Sequence, residues 1–299
     1  MKAQTEAMYS QYLFNKLVLN PAYAGSREGL CVVLDYRNQW TGIDGAPTSM
    51  VASFHSLSKN RKYGFGANLY NDKLGILNTY AFNGNYAYRF FIGKNVLSLG
   101  INGGLSYSNA TINDLTAYQQ GDVTAFNDMG QTQIIPNAGA GIYLKNKRMA
   151  IGLSIPQILN SKMLKNVSVP VSNHYYFTFD YLINVGKQYN LQGQKVSLVP
   201  SLLMKYVPGT NFQVDFNMNT VLYSQFWLGF GYRSDNSFIF SAQYSLNKFV
   251  KNSTTNFRIG YAYDLAAKQY RRAAGGTHEV LLMFDLARNK NKILSPRLF

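Results

Sequence analysis

Tyr80-Ala81-Phe82-Asn83-Gly84-Asn85-Tyr86-Ala87-Tyr88-Arg89-Phe90 and, shortly after it, Leu97-Ser98-Leu99-Gly100-Ile101-Asn102-Gly103-Gly104-Leu105-Ser106-Tyr107 alternate apolar with polar or small residues. Phe212, Val214, Phe216 and Met218 repeat the pattern against Gln213, Asp215, Asn217 and Asn219. Successive side chains of an extended chain point to opposite faces, so each segment reads as a strand with one apolar face. No comparable stretch carries a helical stripe over three turns, and the reading is an all-β protein.

Extending the pattern outward predicts about fourteen strands, near 30–38, 48–57, 62–70, 76–90, 95–108, 133–145, 147–156, 173–186, 195–206, 211–222, 225–234, 237–246, 256–266 and 277–287. Many are as long as the roughly 9–11 residues that cross a bilayer when tilted. Connections after even strands (58–62, 92–95, 145–148, 186–195, 222–225, 247–255) are generally short. Those after odd strands (39–47, 71–75, 109–131, 157–172, 206–210, 233–237, 266–276) include the longest. An even strand count with one rim of turns and one of longer loops is the pattern of an up-and-down outer-membrane barrel. A soluble β-sandwich shares the two-residue period. Its exposed faces normally carry Lys and Glu, whereas here they are Asn, Ser, Gly and Gln. The lipid-facing set is expected to include Leu97, Leu99, Ile101, Leu105, Phe212, Val214, Phe216 and Met218.

Composition agrees. Of 299 residues only 14% are charged, while 23 Tyr and 19 Phe lift the aromatic share to 15%. No apolar run is longer than that of Val280 to Phe284, far short of the about 20 residues of a helical span. A single cysteine, Cys31, excludes an intrachain disulfide framework and reads as a small apolar residue of the first strand. Met1 to Gln4 has no apolar leader, though Ala3-Gln4 would suit a processing junction.

The net charge of +15 is distributed unevenly. The even-strand turns and the tail 288–299 hold 15 of the 29 basic residues, including Lys59, Arg61, Lys62, Lys94, Lys145, Lys147 and Arg148, and none of the 14 acids. Two readings stand: contact with anionic headgroups, or a docking ring for an anionic periplasmic partner, with Lys145, Lys147 and Arg148 as the tightest cluster. Cations dispersed over separate turns do not suit nucleic acid.

No catalytic, metal or cofactor constellation emerges. His55, His174 and His278 are isolated, and there is neither a nucleophile elbow nor a phosphate loop. Inward acids such as Asp180, Asp215 and Asp264 are expected to brace the barrel against Arg37, Arg89, Arg233 or Arg258. Gly100, Gly103 and Gly104 within a strand pattern signal close packing or curvature.

The segment Tyr9 to Ser26 is aromatic and apolar without a strand period, so it must pack in the periplasmic mouth or against the wall. Its core, Asn20-Pro21-Ala22-Tyr23-Ala24-Gly25, resembles the N-terminal signature of the PorP/SprF family of Bacteroidetes outer-membrane proteins. Arg37-Asn38-Gln39-Trp40-Thr41-Gly42 followed by Gly45-Ala46-Pro47-Thr48 resembles its next block. Asn173-His174-Tyr175-Tyr176 and Gly276-Thr277-His278-Glu279-Val280 look like later motifs. The resemblance spans essentially the whole chain. It implies a non-enzymatic outer-membrane barrel of the type IX secretion and gliding machinery. One branch of the family is a core component linked through a periplasmic lipoprotein to the motor. The other holds a secreted cargo or adhesin at the surface through its type B C-terminal domain. From the residues alone, a porin for small solutes is the rival.

The expected organisation is therefore an N-terminal periplasmic or mouth-packing segment (1–29), an outer-membrane barrel (30–287) and a basic periplasmic tail (288–299). Both termini are expected in the periplasm, and cargo on the loops 109–131 and 157–172.

Overall fold

The computed structural model describes residues 8–27, 29–110, 132–159, 172–185, 196–223, 225–246, 255–265 and 275–287. The alternating segments become strands. In chain order they are β1 (Gly29–Asn38), β2 (Thr48–Leu57), β3 (Tyr63–Leu74), β4 (Leu77–Ile92), β5 (Asn95–Ala110), β6 (Gln133–Lys145), β7 (Met149–Gln157) and β8 (His174–Tyr181). There follow β9 (Ile183–Val185), β10 (Val196–Tyr206), β11 (Gln213–Leu222), β12 (Phe226–Arg233), β13 (Ser237–Ser245), β14 (Thr255–Leu265) and β15 (Thr277–Ala287).

Each strand pairs antiparallel with its neighbour, and β1 meets β15 over the whole register from Gly29↔Ala287 to Asn38↔His278. The sheet therefore closes on itself. β8 and β9 both run along β10 and form one span, interrupted at Leu182, whose backbone N–H donates to the Arg148 carbonyl. The barrel thus has fourteen spans, and closure leaves no unpaired edge for lipid to meet.

One loop differs from expectation. Residues 71–74 continue β3, and only Gly75 and Ile76 turn the chain before β4, with Leu74 paired to Leu77. Gly75 has φ +56°, the left-handed conformation that a tight turn needs and glycine adopts freely. The alternation of turn lengths is thus interrupted here, although the long connections 39–47 and 158–173 remain on that same rim. Residues 111–131 and 160–171 of the expected loops 109–131 and 157–172 lie outside the described residues, as does the tail 288–299.

The outer face carries the predicted apolar side chains. Leu99, Ile101, Leu105, Phe212 and Phe216 are exposed, and Leu97, Val214 and Met218 partly so, while Ser98, Gly100 and Asn102 between them turn inward and are buried. An arginine on this face must leave its charge in hydrocarbon. Leu99→Arg is expected to lower folding stability in lipid by about 2–4 kcal/mol, read from urea titration of the reconstituted barrel. An unchanged midpoint would mean that Leu99 does not meet lipid.

The inside is not a water-filled bore over the described length. Residues 8–27 lie within it as an irregular segment with two short 3₁₀ turns, η1 (Lys16–Val18) and η2 (Pro21–Tyr23). Tyr12, Leu13, Phe14, Leu17, Ala22, Tyr23 and Ala24 are all buried. The segment therefore runs through the lumen against the inner wall, from Glu279 near the long-loop rim, met by Ser10 and Gln11, to Asp285 near the short-turn rim, met by Arg27. Its described start thus lies at the rim opposite the one expected to be periplasmic.

Candidate functional site

The interface between the internal segment and the barrel wall is where the molecule concentrates its buried chemistry. It has three apolar parts. Leu13 and Phe14 pack with Cys31, Val33, Val199, Val221, Trp227, Leu281 and Met283. Leu17, Ala22, Tyr23 and Ala24 meet Ala87, Tyr143 and Ala150, and Tyr12 with Leu19 meets Tyr176 and Leu203. In a barrel the wall's outer apolar face is given to lipid, so these contacts are the protein's own hydrophobic core. Leu281 and Met283 explain the Val280–Phe284 run: its alternate members serve lipid and this core. Cys31 belongs to the same core, as its sequence position suggested.

Three groups of charges fasten the segment. Towards the long-loop rim, the fully buried Glu279 carboxylate accepts the backbone N–H groups of Ser10 and Gln11 at 2.8 and 2.7 Å. Arg37 donates to Glu279 and Asp264, both at 2.7 Å, and to the Ser10 hydroxyl at 2.9 Å. Arg233 bridges Asp215 at 2.8 Å and Asp264 at 3.2 Å. Lower in the lumen, the Lys16 ammonium pairs with Asp180. At the short-turn rim, Arg27 pairs with Asp285 at 2.6 Å.

The expected bracing by Asp215 and Asp264 with Arg37 and Arg233 is therefore present. The remaining inward charges have other partners. Asp180 faces the segment's own lysine. Arg89 donates to the carbonyls of Gly25 and Arg61, each at 3.4 Å. Arg258 lies 4.9 Å from the Phe14 ring and 4.8 Å from that of Trp227, the two rings meeting edge to face. A guanidinium against desolvated aromatic faces is attracted by their π electrons.

The Asn20–Gly25 motif has a packing explanation. The Asn20 side chain accepts from the Ala22 N–H, capping η2 with Pro21 at its first position, and donates to the wall carbonyls of Ile142 and Leu153 at 3.0 and 3.3 Å. Tyr23 packs edge to face against His55 and Tyr143. Wall glycines receive this backbone directly. A Cβ on Gly64 would fall 2.0 Å from the Ala24 carbonyl oxygen, and one on Gly100 2.2 Å from the Ala22 nitrogen. Gly103, on the outer face, has open space at that position. Gly100→Ala is accordingly expected to cost about 1–3 kcal/mol by overpacking, and Gly103→Ala to stay within about 0.5 kcal/mol. Urea unfolding checks both, and equal effects would remove the close-approach argument.

The second motif divides. Arg37 is in the lumen cluster, whereas Gln39, Trp40, Gly42 and Pro47 shape the β1–β2 loop on the long-loop rim. There Gln39 N–H donates to the Pro47 carbonyl at 2.9 Å, and Thr41 exchanges backbone bonds with Gly275 and Gly276. The basic turn cluster also divides. Lys147 and Arg148 are exposed, but Lys145 is partly buried and its ammonium donates to the Ser26 carbonyl, so it helps to hold the internal segment. Sequence reasoning missed Ser10, Gln11, Lys16, Arg27 and Asp285 as site residues, and gave Glu279 no role beyond its motif. The usable signal was two cations, Lys16 and Arg27, in a segment with no other charge.

A closed fourteen-span antiparallel barrel with a lipid-suited outer face defines an integral outer-membrane protein. The family model "Type IX secretion system membrane protein PorP/SprF" matches residues 1–284, and the chain belongs to that family. It is accordingly an outer-membrane component of type IX secretion. No curated protein matches the sequence. Among solved structures it is similar to the Acinetobacter baumannii outer membrane protein Omp33, at 9% identity and TM-score 0.43, covering 87% of this chain and 98% of that one. A Pseudomonas aeruginosa FadL homologue gives 9% identity and TM-score 0.46 over 91% and 92% of the two chains. A KdgM porin gives 7% identity and TM-score 0.35 over 87% and 99%.

Proposed function

We propose that this protein is a non-enzymatic anchor and export partner for a type IX cargo, such as a secreted protein or gliding adhesin bearing a type B C-terminal domain. The observation that carries this reading is the filled lumen. Residues 8–27 occupy the path a solute would take and are held there by Glu279, Asp180 and Asp285. A barrel so filled is a scaffold, which speaks against the porin alternative. Cargo is assigned to the long-loop rim, including the loops 109–131 and 157–172, because recognition concentrates on loops set on a rigid frame. The opposite rim, with Lys147 and Arg148, is assigned to the periplasm and to a lipoprotein or motor partner there.

Affinity purification of the tagged, full-length protein from its native outer membrane tests the proposal. Recovery of a type IX cargo protein together with secretion-machinery components is expected. Recovery of neither overturns the anchor reading.

A further inference from the structure

We infer that the β4–β5 hairpin tip and the two turns beside it form one docking surface for a protein partner whose acidic face surrounds an apolar pocket. The inference deepens the proposed function and rests on its placement of the short-turn rim in the periplasm. β4 and β5 are each sixteen residues long, and β3 begins only opposite Tyr88, so Arg89–Ile92 project past it. Phe91 and Ile92, on opposite faces of the strand, are 54% and 55% exposed.

Lipid accounts for Ile92 and Phe90, which continue the outer face. It does not account for Phe91. Asn85, Ala87 and Arg89 precede Phe91 on the lumen face and are buried, so Phe91 is turned towards the barrel axis at the mouth, where no acyl chain reaches. The Arg89 guanidinium lies 5.6 Å from its ring.

The neighbouring turns are tied to this tip. Arg89 N–H donates to the Lys62 carbonyl at 2.8 Å on one side, and Asn146 donates to Asn95 at 3.1 Å on the other. The exposed cations Lys59, Arg61, Lys62, Lys94, Lys147 and Arg148 thus belong to one contiguous patch, and residues 58–62, 92–95 and 145–148 contain no acid. Charge of one sign steers an oppositely charged partner and repels a like one. It therefore disfavours the chain's own tail, with Arg288, Lys290, Lys292 and Arg297, as the cover. An exposed aromatic inside a charged rim has the composition of a binding hot spot.

The test is photo-cross-linking in intact cells, with a photoreactive residue at Phe91 and, as a control, at the lipid-facing Phe65. Phe91 is expected to yield an adduct with a protein that mass spectrometry identifies as acidic and periplasm-exposed, and Phe65 only lipid adducts. Combining Lys94→Glu, Lys147→Glu and Arg148→Glu should lower the Phe91 adduct about tenfold while the barrel's heat-modifiability is unchanged. Adducts at Phe91 only with lipid, with residues 288–299, with a second copy or with nothing would overturn the inference. So would an adduct indifferent to charge reversal. If cargo still co-purifies when the Phe91 adduct fails, the docking surface falls and the anchor stands. If cargo is lost while the adduct persists, the anchor falls and the docking surface stands.

Discussion

A variant lacking residues 8–27 conducts ions steadily in planar bilayers, where the parent protein holds its path closed: this is the expected result of emptying the lumen. The segment contributes Leu13, Phe14, Leu17 and Tyr12 to the three internal apolar clusters, and Ser10, Lys16 and Arg27 to the charged ones. Removing it wets Val33, Trp227, Leu281 and Met283 and leaves Asp180, Glu279 and Asp285 facing water. Each large apolar side chain brought out of water contributes about 1.5–3 kcal/mol, so the variant should also unfold at markedly lower urea. Closure of the sheet through the β1–β15 pairing does not depend on the segment, so the empty barrel is expected to remain heat-modifiable. A heat-modifiable variant as silent as the parent would show that something other than residues 8–27 blocks the path.

The second large effect comes from Lys16 and Asp180, whose side chains are 2% and 0% exposed. Lys16→Met alone leaves a carboxylate without its cation in a water-poor interior, and is expected to cost about 3–5 kcal/mol. Asp180→Leu alone takes the carboxylate away from the ammonium, which also lies 5.7 Å from the Tyr143 ring. Together the two substitutions replace a buried ion pair by apolar groups and should recover most of the loss, because the pair's attraction roughly offsets its desolvation. A double-mutant cycle on urea unfolding measures the coupling, and additive single effects would mean that the two charges act independently.

The strand count, the closed up-and-down architecture and the assignment of faces were legible in residues such as Leu97 to Tyr107, because a two-residue period leaves no choice about which side chains share a face. The outward positions followed directly, and so did the expectation that inward acids meet arginines, but not which: Asp215 and Asp264 take Arg37 and Arg233, whereas Asp180 takes Lys16. The extension of β3 to Leu74 was not legible. Asn71, Asp72 and Gly75 read as loop residues, but strand pairing of Asn71 and Asp72 with Tyr80 and Thr79 on β4 outweighed their local preference.

What the lumen face meets lay beyond the period altogether. Alternation states that Leu281 and Met283 point inward and says nothing of what fills the space opposite them. The partners are Leu13 and Phe14, and Lys16 reaches Asp180 across 164 positions of chain. Such contacts arise only when closure of the sheet brings fourteen spans around one segment. The same closure turns Lys145 in to the Ser26 carbonyl while Lys147 and Arg148, on the same turn, stay outside. Sequence by itself determined the wall and its two faces, since those are local properties of an extended chain. The tertiary structure alone decided that the wall's inner face is closed by the protein's own N-terminal segment, since burial in a lumen depends on residues that only the closed sheet makes neighbours.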